Sequence, residues 1–387
     1  MRFLCARQAT TANIFGQEFD LKPPDSRLEN IQDILATDNF SASELMSKHP
    51  GILAAVSFDR DRCTHFPKVV NRVEDIDSPG RILVMRNGGI GDHVLFLPAL
   101  PVFRNMFPLG SEIWLSTQKE KHPIFQGSKA IDRLLPLPLQ LNILLEADYL
   151  VDLSERDDLE DFEKLHMTDY FLNFLGIEYT LVTNKAPRID WDESRADQVQ
   201  ALFEGARKAH GEKPFVLLNW MASNALRLLP PQSLLFLVHE FPNICFVVAL
   251  QKSLTNQTRQ YLRKHRIDVL DVTPLMVDLR SYMTAIKLCD AVVSSDSAAY
   301  HLAEALGKPS LSLFGPIGSS LRVRYYTKAL SIDASYEGQT CRAPCGLNKA
   351  MTGCREAVAL GKDYSPCLLS IEPADILKPF KRLLRLL

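Results

Sequence analysis

The stretch at residues 81–108 constrains the fold more than any other part of the chain. It opens with four apolar residues at 82–85, which is typical of a strand buried on both faces of a parallel sheet. A short turn follows, containing Asn87, Gly88, Gly89 and Gly91. Apolar residues then recur at helical spacing as far as Phe107. Strand, glycine turn and helix together predict a helix N-terminus whose backbone amides can bind an anion.

Asp92 is the first charged residue after the glycine turn. An aspartate at this place is most often a helix cap, but a carboxylate facing a cleft also suits a general base. The turn departs from the G-x-G-x-x-G fingerprint of nicotinamide-binding folds, because Val94 stands at the third position. A nicotinamide-dependent oxidoreductase also requires an acidic residue after the strand at 111–117, where Ser116 and Thr117 stand, so this alternative is disfavoured.

Strand-like and helix-like segments alternate in two successive sets. The first set predicts strands at 81–86, 111–117, 131–136 and 147–153. The second set predicts strands at 214–220, 244–250, 268–272, 290–295 and 309–314, with helices at 231–240, 254–265, 277–289 and 297–306. This pattern predicts an α/β protein with two doubly wound, Rossmann-like domains facing one cleft.

The remaining segments complete a four-part organisation. The predicted parts are an N-terminal accessory extension at 1–78, a first domain at 79–205, a second domain at 206–370 and a C-terminal helix at 371–387. In the extension we expect a short hairpin from Phe3–Leu4 and Ile14–Phe15 with Phe19 and Leu21, and helices at 28–37 and 41–54, the second capped by Ser41 or Ser43. Further helices are expected at 159–176 and 192–210.

Composition excludes some classes of protein. The formal net charge of the 387 residues is -2, so nothing calls for a nucleic-acid partner. No apolar run approaches the roughly 20 residues of a membrane-spanning helix. The first residues lack the apolar core and cleavage site of a signal peptide. We therefore expect a cytoplasmic protein whose cysteines are made as thiols.

The segment at 371–387 predicts an amphipathic helix. One face carries Ile376, Leu377, Phe380, Leu383, Leu384 and Leu387. Lys378, Lys381, Arg382 and Arg385 lie off that face. We favour a helix docked on the protein; the alternative is peripheral contact with an anionic membrane surface, such as the inner face of the plasma membrane.

A second informative stretch spans residues 290–316. A buried strand is expected to end at Asp296, and the small residues Ser297, Ala298 and Ala299 open the next helix. Small residues let a phosphate approach the backbone amides, and His301 lies one turn further along, on the face that can look back at the anion. The alternative is that Asp296 and Ser297 cap the helix and His301 packs in the core.

Arg227 lies in a loop of small and polar residues after another predicted strand, 214–220. A loop arginine is usually a solvated surface charge, but one facing a helix N-terminus can clamp a diphosphate. Ligands of doubly wound sheets bind at the carboxyl ends of the strands, where Arg227, Asp296 and Asp92 all fall.

Four of the eight cysteines are clustered. The cluster consists of Cys341, Cys345, Cys354 and Cys367, in a Cys-rich loop at 341–367. The scattered four are Cys5, Cys63, Cys245 and Cys289. Clustered cysteines in a cytosolic chain favour a structural Zn or Fe site over disulfides, and free thiols remain the alternative.

Together these pieces resemble glycosyltransferase family 9, the ADP-heptose heptosyltransferases. GGIGDHVLFLPAL at 88–100 is similar to the family's G-x-x-G-D turn and P-A-L helix. DSAAYHLAEALGKP at 296–309, followed by LFGP at 313–316, is similar to its second motif. HMTDYFLNFLGI at 166–177 resembles its acceptor-domain helix. The resemblance covers about residues 80–387 and implies a GT-B fold with inverting, metal-independent sugar transfer.

The resemblance also implies roles for single residues. Asp92 matches the base that takes the proton from the acceptor hydroxyl, and Gly88, Gly89 and Gly91 form the turn before it. The donor diphosphate and heptose site is matched by Asp296, Ser297, Ala298 and His301. Arg227 stands where the family usually has a lysine, and ALQKSL at 249–254 replaces its glycine-rich turn and acidic residue. A four-cysteine iron site occurs in its autotransporter heptosyltransferase subgroup.

The partners implied are a nucleotide-diphosphate sugar donor and a hydroxyl acceptor on a glycan, such as the lipopolysaccharide core, or on a protein. No cofactor is implied for catalysis. Charge growing on the leaving diphosphate would be stabilised by Arg227 and the amides at 297–299. Base and donor site would come from different domains, so closure would assemble them. A nucleotide-binding module without catalysis is the alternative.

Overall fold

The structure, a computed structural model, describes residues 1–15, 17–23, 31–57, 65–154, 164–191, 197–346 and 353–387. Its contacts divide the chain into two compact units, which we describe separately. Unit 1 comprises Met1–Gly88 and Phe96–Lys185, and unit 2 comprises Gly89–Leu95 and Ala186–Leu387. The division after Lys185 precedes the boundary expected at 205, so the helix at Asp197–His210 belongs to unit 2.

Unit 1 contains eleven strands among the described residues. They are β1 Arg2–Ala6, β2 Thr10–Ile14, β3 Gln17–Leu21, β4 Leu35–Thr37, β5 Leu53–Val56, β6 Lys68–Val69, β7 Arg81–Met85, β8 Glu112–Thr117, β9 Arg133–Pro136, β10 Leu139–Gln140 and β11 Tyr149–Asp152. A parallel sheet has the order β6-β11-β7-β8-β9. The four strands predicted for the first domain are all confirmed.

The N-terminal residues build structure of their own. An antiparallel sheet has the order β10-β4-β1-β5, so Leu139–Gln140 adds a strand to it from the main part of unit 1. The hairpin is formed by β2 and β3, where Ile14 pairs with Gln17, whereas Phe3 and Leu4 lie in β1 of the neighbouring sheet. Both small sheets pack around a shared apolar cluster that includes Leu4 and Phe19.

Two helix predictions for the extension need correction. Ile31–Asp33 forms a 3-10 turn and Leu35–Thr37 a strand, so the helix expected at 28–37 is wrong over 31–37, and 28–30 lie outside the described residues. A short apolar run does not separate helix from strand, and pairing with β1 decided it. The helix expected at 41–54 spans Asn39–Lys48 and is capped by Asp38, not by Ser41 or Ser43.

Five α-helices are described in the first half of the chain. They are α1 Asn39–Lys48, α2 Ile90–Phe96, α3 Ala99–Met106, α4 Leu141–Leu144 and α5 Met167–Phe174. Helix α5 occupies residues 167–174 of the helix predicted at 159–176; residues 164–166 are not helical, and residues 159–163 lie outside the described residues. Phe96 and Phe103, on α2 and α3, are fully buried and pack against each other with ring centroids 5.9 Å apart.

Unit 2 is built on one parallel sheet of six strands. They are β12 Phe215–Asn219, β13 Cys245–Val248, β14 Leu270–Asp271, β15 Ala291–Ser295, β16 Ser310–Phe314 and β17 Ala329–Asp333. The order is β14-β13-β12-β15-β16-β17, the doubly wound order that reverses between the first and fourth strands. Five of the six strands are confirmed predictions, and β17 was missed.

Nine α-helices are described after the division at Lys185. They are α6 Asp197–His210, α7 Gln232–Glu240, α8 Thr255–Lys264, α9 Leu279–Leu288, α10 Ala298–Ala305, α11 Ser320–Val323, α12 Arg355–Ala359, α13 Pro366–Leu369 and α14 Pro373–Leu384. The C-terminal helix α14 docks as predicted, because Ile376, Phe380 and Leu383 join the main apolar core of unit 2. No helix among the described residues has the length and apolar character to cross a membrane.

Candidate active site and cysteine pocket

The glycine turn lies where the order of the parallel sheet of unit 1 reverses, between β7 and β11. Gly88 has φ +145°, a backbone conformation that favours glycine. The turn is tied to the neighbouring strand end, because the Asn87 amide donates to Ser154 Oγ at 3.0 Å. Switch points of this kind are where doubly wound sheets bind ligands.

Asn87 also links the turn to the N-terminal residues. Its Nδ2 donates to Ser41 Oγ at 2.8 Å and to Asp38 Oδ2 at 3.2 Å, and its Oδ1 accepts from the Gly88 amide at 2.7 Å. Asp38 and Ser41 lie at the start of α1 and are fully buried. The extension therefore supports the glycine turn, a role that sequence analysis did not find, because partners more than 40 residues apart leave no periodic signal.

Asp92 is half-buried in the first turn of α2. Its Oδ2 accepts a hydrogen bond from the Gly89 amide at 2.8 Å, so the carboxylate caps the start of the helix from the third helical position. His93, the next residue, is buried and its Nδ1 lies 2.8 Å from the Gly89 carbonyl oxygen. The Gly89 amide thus fixes the orientation of the Asp92 carboxylate, which the sequence suggests as a base.

The second part of the site lies at the switch point of unit 2, between β12 and β15. Asn219, at the end of β12, donates from Nδ2 to Ser297 Oγ and to the Met221 carbonyl oxygen, both at 2.9 Å. Ser295 Oγ donates to the same carbonyl at 3.0 Å. Ser297 caps α10 by accepting from the Ala299 amide at 3.4 Å, and Ala298 is the first helical residue.

Arg227 and Asp296 form an ion pair at the N-terminus of α10. Arg227 Nη1 lies 3.5 Å from Asp296 Oδ2, and Arg227 Nη2 donates to Ser223 Oγ at 3.0 Å. Asp296 is 2% exposed, and its Oδ1 accepts from the Tyr300 hydroxyl at 3.0 Å. Asp296 Oδ2 and Arg227 Nε are both buried and have no hydrogen-bond partner in the described part of the chain. A ligand between them would find one acceptor and one donor already desolvated.

His301 lies one turn into α10 and is 5% exposed. Its ring stacks on Tyr300 with centroids 4.0 Å apart, and its Nδ1 is hydrogen-bonded to the Tyr326 hydroxyl. A Cβ atom at Gly91 would lie 2.7 Å from His301 Cδ2 and 3.1 Å from Nε2. Gly91, which the contacts assign to unit 2 together with His301, therefore lies directly against the His301 ring.

The predicted residues thus form one constellation with two unpredicted members. Arg227, Asp296, Ser297 and Ala298 meet at the start of α10, as the strand-end argument predicts. Tyr300 and Tyr326 were missed. Burial raises the pKa of both tyrosines well above the ordinary value, helped by the charge of Asp296 at Tyr300 and of Glu304 at Tyr326, so both hydroxyls keep their protons.

The four clustered cysteines line one cavity of about 840 Å³ in unit 2. They are Cys341, Cys345, Cys354 and Cys367, which form no disulfide. Burial, then the neighbouring Cys345, raises the pKa of Cys341 to about 11. Burial, then the same neighbour, raises the pKa of Cys367 to about 12. As placed, no group of three or more ligand-type side chains among the described residues could hold a metal ion. Cys63 lies outside the described residues.

Two features tie the cysteine cavity to the donor side of unit 2. Ser365 Oγ donates to the Leu226 carbonyl oxygen at 2.8 Å, and Leu226, the neighbour of Arg227, lines the cavity. A Cβ atom at Gly315 would lie 2.8 Å from Cys367 Sγ, so the LFGP segment has room for glycine alone there. Glu356 accepts from the Gln339 amide at 3.0 Å and the Thr340 amide at 3.2 Å, and thereby orders the loop before Cys341.

Residues 177–343 match the model of glycosyltransferase family 9, described as heptosyltransferase. The chain carries a glycosyltransferase family 9 domain. The resemblance drawn from the motifs is thereby confirmed, and the chain is a glycosyltransferase. The matched part of the family 9 domain includes Arg227, Asp296 and His301, whereas Asp92 lies before it. No curated protein sequence gives a significant match.

Solved structures similar to this chain share its fold. A family 9 glycosyltransferase from Veillonella parvula has a TM-score of 0.56 at 15% identity, with 75% of this chain and 97% of that chain covered. The E. coli ADP-heptose lipopolysaccharide heptosyltransferase II has a TM-score of 0.52 at 15% identity, covering 79% and 98%. TibC from enterotoxigenic E. coli, an iron-containing dodecameric glycosyltransferase, has a TM-score of 0.55 at 11% identity, covering 86% and 82%. The predicted GT-B fold is confirmed.

Proposed function

We propose that this glycosyltransferase moves a heptose or a related sugar from a nucleotide-diphosphate donor, ADP-heptose first, to a hydroxyl of a glycan or protein acceptor. The transfer inverts the anomeric centre and uses no metal in catalysis. The observation that carries the proposal is the contact between Gly91, the residue before Asp92, and the ring of His301. It supports the proposal, because His301 lies one turn from the N-terminus of α10, where a diphosphate would bind.

The donor side offers positive potential without a metal ion. Arg227, the N-terminus of α10 and the small side chains of Ser297 and Ala298 suit a diphosphate, because charge grows on the leaving group as the glycosidic bond to phosphate breaks. The buried Asp296 Oδ2 is an acceptor for a sugar hydroxyl, and Arg227 Nε is a donor for a phosphate oxygen.

Asp92 serves as the general base in this proposal. The acceptor oxygen attacks the anomeric carbon, its proton passes to the Asp92 carboxylate, and the nucleoside diphosphate departs with the electrons of the broken bond. The Gly89 amide holds Oδ2 and thereby orients the carboxylate. Attack opposite the departing diphosphate inverts the configuration.

Two proteins with solved structures of similar fold support ADP-heptose as the donor. The E. coli heptosyltransferase II acts with ADP-heptose, and TibC has a structure in complex with ADP-D-beta-D-heptose, with a TM-score of 0.55 to this chain. Because ALQKSL stands in place of the family's acidic residue, the assay includes UDP- and GDP-sugars as well.

We propose further that Cys341, Cys345, Cys354 and Cys367 hold a structural Zn or Fe ion, as TibC is described as iron-containing. The donor set fits, because four thiols line one cavity and Cys345 lies close enough to raise the pKa of both Cys341 and Cys367. Metal binding would release the thiol protons and draw the four sulfur atoms together. The ion would fix the loop and take no part in transfer.

We infer a cytoplasmic enzyme with a peripheral membrane contact. The face of α14 away from the core exposes Lys378, Lys381, Arg382 and Arg385, and Leu386 is half exposed at its end. Such a face suits anionic lipid, near which a glycolipid acceptor would lie. Cosedimentation with anionic vesicles and none with neutral vesicles would support this.

The decisive experiment combines binding and turnover. Purified protein is incubated with each nucleotide sugar, with and without truncated lipopolysaccharide core or candidate protein acceptors, and the products are analysed by mass spectrometry. Sugar on an acceptor, with inverted configuration by NMR, supports the proposal. A nucleotide that binds without hydrolysis or transfer in any mixture contradicts it and favours a non-catalytic nucleotide-binding role.

A further inference from the structure

Tyr326 contacts the ring nitrogen of His301 that faces away from the glycine turn. The Tyr326 hydroxyl is hydrogen-bonded to His301 Nδ1, and the two rings meet edge to face with centroids 5.7 Å apart. The opposite edge of the imidazole, with Cδ2 and Nε2, lies against Gly91. His301 is therefore held between the Tyr326 hydroxyl and Gly91.

The segment carrying Tyr326 is clamped to the same helix as His301. Glu304, one turn further along α10, is buried and accepts from the Thr327 amide at 2.7 Å, from Thr327 Oγ1 at 2.8 Å and from the Lys328 amide at 3.2 Å. The Tyr326 amide donates to the Val323 carbonyl at 2.9 Å. Glu304 thus holds the residues that follow Tyr326 to the helix that carries His301.

The direction of the hydrogen bond follows from the chemistry of the two groups. The phenol keeps its proton, because burial and the charge of Glu304 raise the pKa of Tyr326 well above its ordinary value. Among the residues that the structure describes, His301 is the hydrogen-bond partner of this hydroxyl. The proton therefore points at Nδ1, and a neutral imidazole that accepts at Nδ1 carries its own proton on Nε2.

We propose that Tyr326 is a positioning residue that fixes His301 in the Nε2-protonated tautomer, with that N–H aimed at the leaving diphosphate beside the glycine turn. The inference rests on the proposed function and names the device that prepares its donor site. A fixed N–H donor stabilises charge that appears on the leaving oxygen in the transition state more than in the ground state, so it acts on the rate of transfer more than on donor affinity.

The first test removes the hydroxyl and keeps the ring. Tyr326→Phe is expected to lower kcat about tenfold to a hundredfold, as supporting hydrogen bonds to functional histidines do, while donor affinity stays within a few-fold. Tyr261→Phe is the matched control, since it deletes a hydroxyl on α8 that donates to Gln232 Oε1 on α7 at 3.3 Å, outside the site. Unchanged kcat in Tyr326→Phe, or an equal loss in the control, would overturn the proposal.

A second test asks which ring nitrogen matters. The amide of glutamine can replace Nε2 as a donor, whereas that of asparagine replaces Nδ1. His301→Gln is expected to retain more activity than His301→Asn, and Tyr326→Phe should cost nothing further in the His301→Gln background, because that variant has no tautomer to set. Higher activity in His301→Asn, or full additivity of the two changes, would contradict the assignment.

A third test needs no turnover. Nitrogen-15 spectra of histidine-labelled protein should show His301 protonated at Nε2 and accepting at Nδ1, and Tyr326→Phe should produce a mixture of tautomers. Protonation at Nδ1, or at both nitrogens, in the unaltered protein would overturn the inference. This test also distinguishes the two proposals. Absence of transfer with every donor contradicts the proposed function, whereas the tautomer of His301 can be measured whether or not transfer occurs.

Discussion

Two sites of unit 2 each draw four residues from a short stretch of the chain. One is the start of α10, with Asp296, Ser297, Ala298 and His301, and the other is the cysteine loop. They differ in how far their polar side chains already have partners. Around α10, Asp296, Ser297 and His301 each have a fixed polar partner without any ligand. In the loop, four cysteines face one cavity of about 840 Å³, and none of the described residues forms a group that could hold a metal ion as placed.

This difference shows which kind of site can form before its ligand binds. An anion site can be built in advance from neutral hydrogen bonds and a helix N-terminus, because none of these groups repels another. A thiolate site cannot, because gathering four negative sulfur atoms is unfavourable until a cation arrives. The donor site is therefore expected to resist loss of its ligand, and the cysteine loop to depend on one. Four changes test this contrast.

The largest expected effect is that of Asp92→Asn, which tests whether the prepared site carries the chemistry. It removes the base but keeps an oxygen that can accept from the Gly89 amide, so transfer should fall by about a thousandfold or more, with donor binding within a few-fold. Single-turnover assays with donor titrations measure both.

The control for this change is Asp375→Asn on α14. Asp375 Oδ2 accepts from the Glu372 amide at 2.9 Å, which is the same capping contact far from the site along the chain. Turnover near wild type in Asp92→Asn, or an equal loss in Asp375→Asn, would reduce Asp92 to a helix cap.

Arg227→Ala comes next. Loss of a charge-assisted hydrogen bond to the diphosphate should weaken donor binding by about 2–3 kcal/mol, and Arg227→Lys should recover part of it. Calorimetry with the donor nucleotide measures the effect. Arg207→Ala is the matched control, since Arg207 also pairs with an aspartate, Asp290, at 3.3 Å. Unchanged donor affinity in Arg227→Ala would move the diphosphate site elsewhere.

Cys354→Ser tests the other side of the contrast. If the loop depends on a metal ion, protein and metal should co-purify near one to one, and the variant should lose most of the metal and roughly 4–8 °C of melting temperature, or about 2 kcal/mol. The control variant Cys245→Ser changes a cysteine in a buried strand of the same unit, so the protein should retain the metal. If elemental analysis of untagged, unreduced protein finds neither zinc nor iron, the proposed metal site is contradicted.

Asn219→Ala has the smallest expected effect. It removes the hydrogen bonds to Ser297 Oγ and to the Met221 carbonyl, so stability should fall by about 1 kcal/mol and donor affinity by a few-fold, with metal content unchanged. Denaturant unfolding with and without the donor nucleotide measures this. If Asn219→Ala causes a large loss of stability that the donor nucleotide fully restores, the ligand rather than Asn219 orders the site.

The sequence predicts best those elements whose pattern lies within a single segment. The apolar runs of β7, β12 and β15 and the glycine turn specify buried parallel strands and the residues at their ends. The sequence does not predict strands that form only by pairing with distant residues, at the edge of a sheet or within it. β17 is partly exposed, β10 has two residues, and β4 became a strand because β1 pairs with it. At such places long-range pairing outweighs local preference.

The sequence by itself determined the α/β class, the two alternating sets, the positions of Asp92, Arg227 and Asp296 after strand ends and that of His301 one helical turn further along. These features depend on the residues of single segments, because a strand buried on both faces and a glycine turn each have their own local pattern. Only the tertiary structure decided their partners. The support of Asn87 by Asp38 and Ser41, the pairing of Arg227 with Asp296 and the hydrogen bond from Tyr326 to His301 join residues 25 to 69 positions apart. Hydrogen bonds depend on distances in space, and spacing along the chain specifies those only within one element.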